Sequence, residues 1–99
     1  MANQPSLSPP ATAATLFSVA TGSGEPIYRQ LVDQVRRLVA GGQLAAGDEL
    51  PSVRDTAQAL AVNPMTVSKA YSLLEAAGVL ERRRGLGMVV AAQHIRAQT

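Results

Sequence analysis

Apolar residues recur along the chain at two different periods, and the change of period divides it into elements. From Ile27 they return at Leu31, Val35, Leu38 and Val39, the stripe of one helix face, with Arg29, Asp33, Arg36 and Arg37 between them on the wet side. Pro26 opens this helix, because its fixed φ suits a first turn that has no use for the missing N–H. Gly41-Gly42 stops it. A second stripe, Val53, Ala57 and Leu60, predicts a short helix that starts from the N-cap Ser52, with Asp55 completing an approximate capping box. Ala61-Val62 then makes a tight turn, and Asn63 caps a third helix with Pro64 at its first position. Val67, Ala70, Tyr71 and Leu74 are the inner stripe of that helix, which Gly78 ends near Ala77.

Beyond Gly78 the period shortens. Val79 to Arg83 and Met88 to Ala91 read as two strands, joined by Arg84-Gly85-Leu86-Gly87. Two glycines in so short a loop supply the positive φ that a hairpin needs. Helix, helix, tight turn, helix, hairpin is the order of a winged helix-turn-helix, a mainly α fold with a small β-hairpin as its wing. The expected domain is residues 25–91. Residues 1–24 have the Pro, Ser, Ala and Thr content of a flexible tail, with a candidate short strand at 16–19 that could pack on the domain, swap to a partner or stay loose. Residues 92–99 are either a C-terminal tail or the start of a dimerisation helix.

Composition narrows the class. The 99 residues match one domain, and aromatics at 3% leave the core to Leu, Val, Ile and Ala. With no cysteine there is no disulfide and no thiolate metal site. The lone histidine, His94, has no Cys to pair with and no acidic residue nearby, the carboxylates are scattered, and Gly85 and Gly87 follow no phosphate-loop pattern. No enzyme, metal or cofactor is expected. The N-terminus lacks the basic start of a secretory signal, and Ala13 to Ala20 is short and broken by Thr15 and Ser18, so neither a signal peptide nor a membrane span is expected. The expected compartment is the cytoplasm.

Charge adds a direction. Net charge is only +2, but residues 1–24 carry none and residues 52–99 carry +3, from Arg54, Lys69, Arg82, Arg83, Arg84 and Arg96 against Asp55, Glu75 and Glu81. A phosphate backbone could use that bias. In a helix-turn-helix the second helix of the pair enters the major groove. Here its outer face carries Met65, Lys69 and Ser72, flanked by Thr66 and Ser68, small polar groups with one cation. Arg82-Arg83-Arg84-Gly85 at the hairpin suits a wing that lies along the DNA backbone or reaches the minor groove. Spacing alone is equally compatible with a solvated amphipathic helix, and the arginines alone with a charged edge strand that resists aggregation.

Four ordered segments decide further: Pro26-Ile27-Tyr28-Arg29-Gln30-Leu31, Gly47-Asp48-Glu49-Leu50-Pro51-Ser52-Val53-Arg54, Asn63 to Tyr71 (Asn-Pro-Met-Thr-Val-Ser-Lys-Ala-Tyr), and Leu74-Glu75-Ala76-Ala77-Gly78. Together they resemble the N-terminal domain of GntR-family transcription regulators, and most of all the YtrA-like subgroup. The resemblance covers about residues 25–91. It implies DNA contacts from Arg54 at the start of helix 2, from Asn63, Met65, Thr66, Ser68 and Lys69 in helix 3, and from Arg84 and Gly85 at the wing tip. Tyr28 and Tyr71 fall on recurring family positions, where physical reasoning gives them packing roles. The wing departs from the pattern Gly-x-Gly-Thr-aromatic-Val, running Gly85-Leu86-Gly87-Met88-Val89-Val90, which removes a hydroxyl and an aromatic ring from beneath it.

The function implied is a sequence-specific DNA-binding repressor that acts as a homodimer on an inverted-repeat operator in double-stranded DNA. Two other readings stay open: a winged-helix module that binds protein without DNA, and a DNA-binding domain belonging to a longer regulator. Neither operator nor effector is named by the sequence, and eight residues after the wing cannot form a ligand pocket.

Overall fold

The computed structural model of the protein describes residues 16–20 and 22–92. Its regular elements are α1 (Ile27–Ala40), α2 (Val53–Leu60), α3 (Pro64–Ala76), β1 (Leu80–Arg83) and β2 (Gly87–Val90). This is a winged helix-turn-helix. α3 lies at its centre, packed against α1, α2 and β1.

The local signals that start and stop each helix are made as the side chains dictate. Ser52 Oγ accepts the Asp55 N–H at 3.0 Å, and Asn63 Oδ1 accepts the Met65 N–H at 2.8 Å, each satisfying a donor that the first turn leaves orphaned. At the end of α3 the Gly78 N–H reaches the Glu75 carbonyl and the Val79 N–H the Leu74 carbonyl, the paired bonds of a Schellman cap. α2 ends on the same pair of bonds, the Ala61 N–H to the Gln58 carbonyl and the Val62 N–H to the Ala57 carbonyl, but here a non-glycine residue, Ala61, takes the left-handed conformation, φ 56° and ψ 46°, in the turn to α3.

The core joins Leu31 and Val35 of α1, Ala57 of α2, Val67, Ala70, Tyr71 and Leu74 of α3, and Leu80, Met88 and Val90 of the wing, with Leu44 and Leu50 from the α1–α2 connection. The strands pair antiparallel in the register Leu80↔Val90, Glu81↔Val89, Arg82↔Met88 and Arg83↔Gly87. The turn is therefore Arg84-Gly85-Leu86 alone, one residue shorter than the sequence suggested, and Gly85 and Gly87 both take positive φ. A third segment lines the other edge of β2. Leu50 N–H donates to Met88 O, Val90 N–H to Asp48 O and Gly47 N–H to Val90 O, each at 2.8 Å, around a bridge between Glu49 and Val89. Flanked on both edges, β2 buries Met88, Val89 and Val90 in succession. Apolar side chains thus fill the place of the missing Thr and aromatic ring.

Residues 16–19, the candidate short strand, are not a strand. Phe17 is buried in the core and Ser18 is exposed, as in a strand, but the backbone bonds go to side chains of α1. Gln30 Oε1 accepts the Ala20 N–H at 2.8 Å while its Nε2 donates to the carbonyls of Ala20 at 3.1 Å and Glu25 at 2.8 Å. One helical turn on, Gln34 Oε1 accepts the Ser18 N–H at 2.9 Å, and its Nε2 donates to the Ser18 carbonyl. Two amide side chains do the work of a neighbouring strand. Residues 1–15, the rest of the expected tail, and 93–99, where a dimerisation helix was a candidate, lie outside the described residues.

Candidate nucleic-acid interface

The angle between α2 and α3 is held by one buried phenol. Tyr71 Oη donates to the Pro51 carbonyl at 2.7 Å and lies 3.1 Å from Thr56 Oγ1, which donates to it in turn because the phenol has a single proton. Thr56 is fully buried in α2, so the hydroxyl network ties α3 to α2 and to the segment that enters it. Burial pushes the Tyr71 phenol above its ordinary value near 10, and the Thr56 hydrogen bond pulls it part of the way back. Among the described residues no buried side-chain polar atom is left without a partner.

With Val67, Ala70, Tyr71 and Leu74 turned inward, the opposite face of α3 is free. Met65 is 77% exposed, Ser68, Lys69 and Ser72 are exposed, and Thr66 is half-buried. Asn63 is exposed but its Oδ1 is committed to the helix cap, which leaves the amide N–H₂ to meet a ligand. Arg54 is exposed in the first turn of α2. Lys69 does not stand straight out from the helix. Its Nζ lies 4.1 Å from the centroid of the Tyr28 ring on α1.

The wing arginines divide. Arg82 is 3.5 Å from Glu75 of α3, and Arg83 makes a close pair with Glu81, with Nε and Nη2 both 2.8 Å from the same oxygen. Both pairs are open to solvent, so each contributes little to stability. Their consequence is electrostatic: two of the three wing cations face a carboxylate. Among the described residues Arg84, at the turn beside Gly85, is in no ion pair. The sequence reading missed both acidic partners. Alternation places Glu81 and Arg83 on one face of a strand, a signal that was present; nothing in the spacing joins Glu75 to Arg82.

The family profile described as "Bacterial regulatory proteins, gntR family" matches residues 27–90. The chain belongs to this family. It is similar to the HTH-type transcriptional repressor YtrA of Bacillus subtilis, 45% identical over 76 residues that make up 77% of this chain and 58% of that protein. Among solved structures it resembles YtrA from Sulfolobus acidocaldarius, a GntR-family transcription factor, with TM-score 0.73 and 38% identity over 80% of this chain and 83% of that one. It also resembles AraR(DBD) in complex with operator ORE1, with TM-score 0.64 and 27% identity over 77% of this chain and 95% of that one. The resemblance to the YtrA-like subgroup read from the motifs is borne out. The chain spans less than two thirds of the length of the curated relatives named first. Among the described residues, no helix is long and apolar enough to cross a membrane.

Proposed function

We propose that this GntR-family chain is a sequence-specific DNA-binding transcription regulator, and a repressor, with residues 25–91 as its DNA-binding domain. One observation carries the reading: α3 is locked at its inner face by Tyr71 while its outer face, with Met65, Ser68 and Lys69, is left open to solvent. Such a helix enters a major groove without rearrangement. In this reading Asn63, Met65, Thr66 and Ser68 meet base edges and nearby phosphates, Met65 offering only apolar contact, as to a thymine methyl. Arg54, Lys69 and the wing from Arg82 to Gly85 then meet the backbone. The relatives named as transcription regulators support a regulatory rather than a catalytic role. Action as a homodimer on an inverted repeat follows from the few base pairs that one such domain can read. The cytoplasm, where the DNA of a bacterial regulator lies, is its proposed compartment.

In vitro selection from a random duplex pool with the purified protein tests this reading. The expected product is an inverted-repeat consensus, and sedimentation on that site should saturate at two chains. Failure to enrich any sequence would sink the specific-binding role, and saturation at one chain would sink the dimer.

A further inference from the structure

Lys69 leaves the exposed face of α3 and turns towards α1, where its ammonium sits 4.1 Å from the centre of the half-buried Tyr28 ring. Tyr28 packs against the edge of the core, so its ring is fixed by the domain and not by the lysine. Among the described residues Lys69 is in no ion pair, which leaves the ring as its anchor. We infer that Tyr28 is a positioning residue for DNA binding, holding Lys69 on the α1 side of α3 so that its ammonium meets a phosphate and not a base edge. The inference rests on the DNA-binding reading above.

The chemistry fits the placement. A ring face attracts a cation from one side through its quadrupole but neutralises no charge. The ammonium keeps N–H donors on its far side, and a phosphate asks only for a point charge with donors. A free lysine must give up rotamer freedom when it binds, whereas one already held at a fixed ring has given up much of it beforehand. Tyr28 therefore raises affinity without touching DNA.

The test uses the full chain and a fluorescein-labelled random-sequence duplex of about two helical turns, titrated across a salt series. Lys69→Ala should reduce the slope of log K against log salt by about 1 and weaken binding by the same factor whatever the duplex sequence. Tyr28→Leu, which keeps an apolar side chain against the core, should weaken binding about two- to fivefold. It should have no further effect in the Lys69→Ala background, and Tyr28→Phe should restore wild-type binding because it keeps the ring. An equal loss from Tyr28→Leu with or without Lys69 means a merely structural role and overturns the inference; so does unchanged or tighter binding. One measurement needs no Leu variant: the Lys69 Hε resonances should be ring-shifted upfield in free protein and stay so in the complex. Their return to ordinary values on DNA would show that the ring releases the lysine, and would overturn the inference. Loss of binding in Arg54→Ala but not in Lys69→Ala overturns the positioning role alone, whereas loss in neither variant removes the DNA-interface reading itself.

Discussion

The Tyr71 hydroxyl donates a 2.7 Å hydrogen bond to the Pro51 carbonyl, across the joint between α3 and the entry to α2. Tyr71→Phe would keep the ring in the core and remove the hydroxyl alone. The Pro51 carbonyl and the Thr56 hydroxyl would then lose their partner, at a cost of about 1–3 kcal/mol. For a domain of this size that lowers the melting temperature by roughly 4–8 °C per kcal/mol. Because the hydroxyl also fixes the helix angle, DNA affinity should fall at temperatures where the variant is still fully folded. Calorimetric melting and a binding titration well below the melting temperature check the two effects separately.

The same phenol gives the protein an alkaline limit. Burial holds the folded-state pKa of Tyr71 above the unfolded value near 10, so above that value the unfolded chain releases a proton that the folded chain retains. Stability from this group is complete below the unfolded pKa and declines as pH rises from there through the folded pKa. Urea midpoints measured from pH 8 to 11 should therefore bend downward near pH 10, and the bend should be shallower in Tyr71→Phe. An identical pH profile in the two proteins would show that other groups set the limit.

The helix limits were legible because caps are local. Pro26, Gly41-Gly42, Ser52, Asn63-Pro64 and Gly78 each act within one turn of chain, and the structure uses them where the sequence puts them. What escaped was non-local pairing. Gly47-Asp48 reads as a turn that leads by Leu50-Pro51 into Ser52, yet the segment from Gly47 to Leu50 lines β2, because only the folded chain brings Met88 and Val90 beside it. Residues 16–19 read as a candidate strand, but their partners are the amides of Gln30 and Gln34, on a helix face that a hydrophobic count treats as noise. On the candidate interface, exposure of Met65, Ser68 and Lys69 follows directly from the stripe of α3. The pairing of Arg82 with Glu75 and the place of Lys69 over Tyr28 do not, since each depends on how two elements cross.

Ala61 holds a conformation that side chains disfavour. Its φ of 56° and ψ of 46° put Cβ close to the following carbonyl, a strain of about 1–2 kcal/mol that glycine does not carry. Ala61 is exposed, so its methyl contributes no burial in return. After the entropy that glycine loses on folding, Ala61→Gly should still stabilise by about 0.5–1 kcal/mol. The urea midpoint should rise at unchanged m-value. Ala61→Val should lower it, because a β-branched residue fits this region worst. A lower midpoint for the glycine variant would refute the strain.

The glutamine clamp predicts a local rather than a global weakness. Gln30→Ala removes three hydrogen bonds to Ala20 and Glu25 but touches nothing in the wing. In native-state hydrogen exchange the Ala20 amide should be protected in the wild type and lose protection in the variant. The Val90 amide, bonded to Asp48, should hold its protection to within the change in global stability. Equal loss at both amides would mean that residues 16–20 unfold only together with the domain.

The wing offers a gain-of-affinity test, which is harder to obtain by accident than a loss. Among the described residues Arg84 is in no ion pair, so Arg84→Ala should lower the slope of log K against log salt by about 1. Arg83 is different: Glu81 lies 2.8 Å from it, partly cancels its field and would face the phosphates beside it. Arg83→Ala alone would expose that carboxylate and confuse two effects. Glu81→Gln is the cleaner change, because it leaves the arginine in place, keeps the side chain's length and removes the opposing charge. The pair is solvent-exposed and worth at most about 1 kcal/mol, so folding stability should barely move. Affinity for a random duplex should rise a few-fold at low salt, with a steeper slope, and the advantage should fade towards 1 M salt as the Debye length contracts to about 3 Å. If Glu81→Gln binds no more tightly at low salt, Arg83 does not face DNA and the wing's contact is confined to its tip.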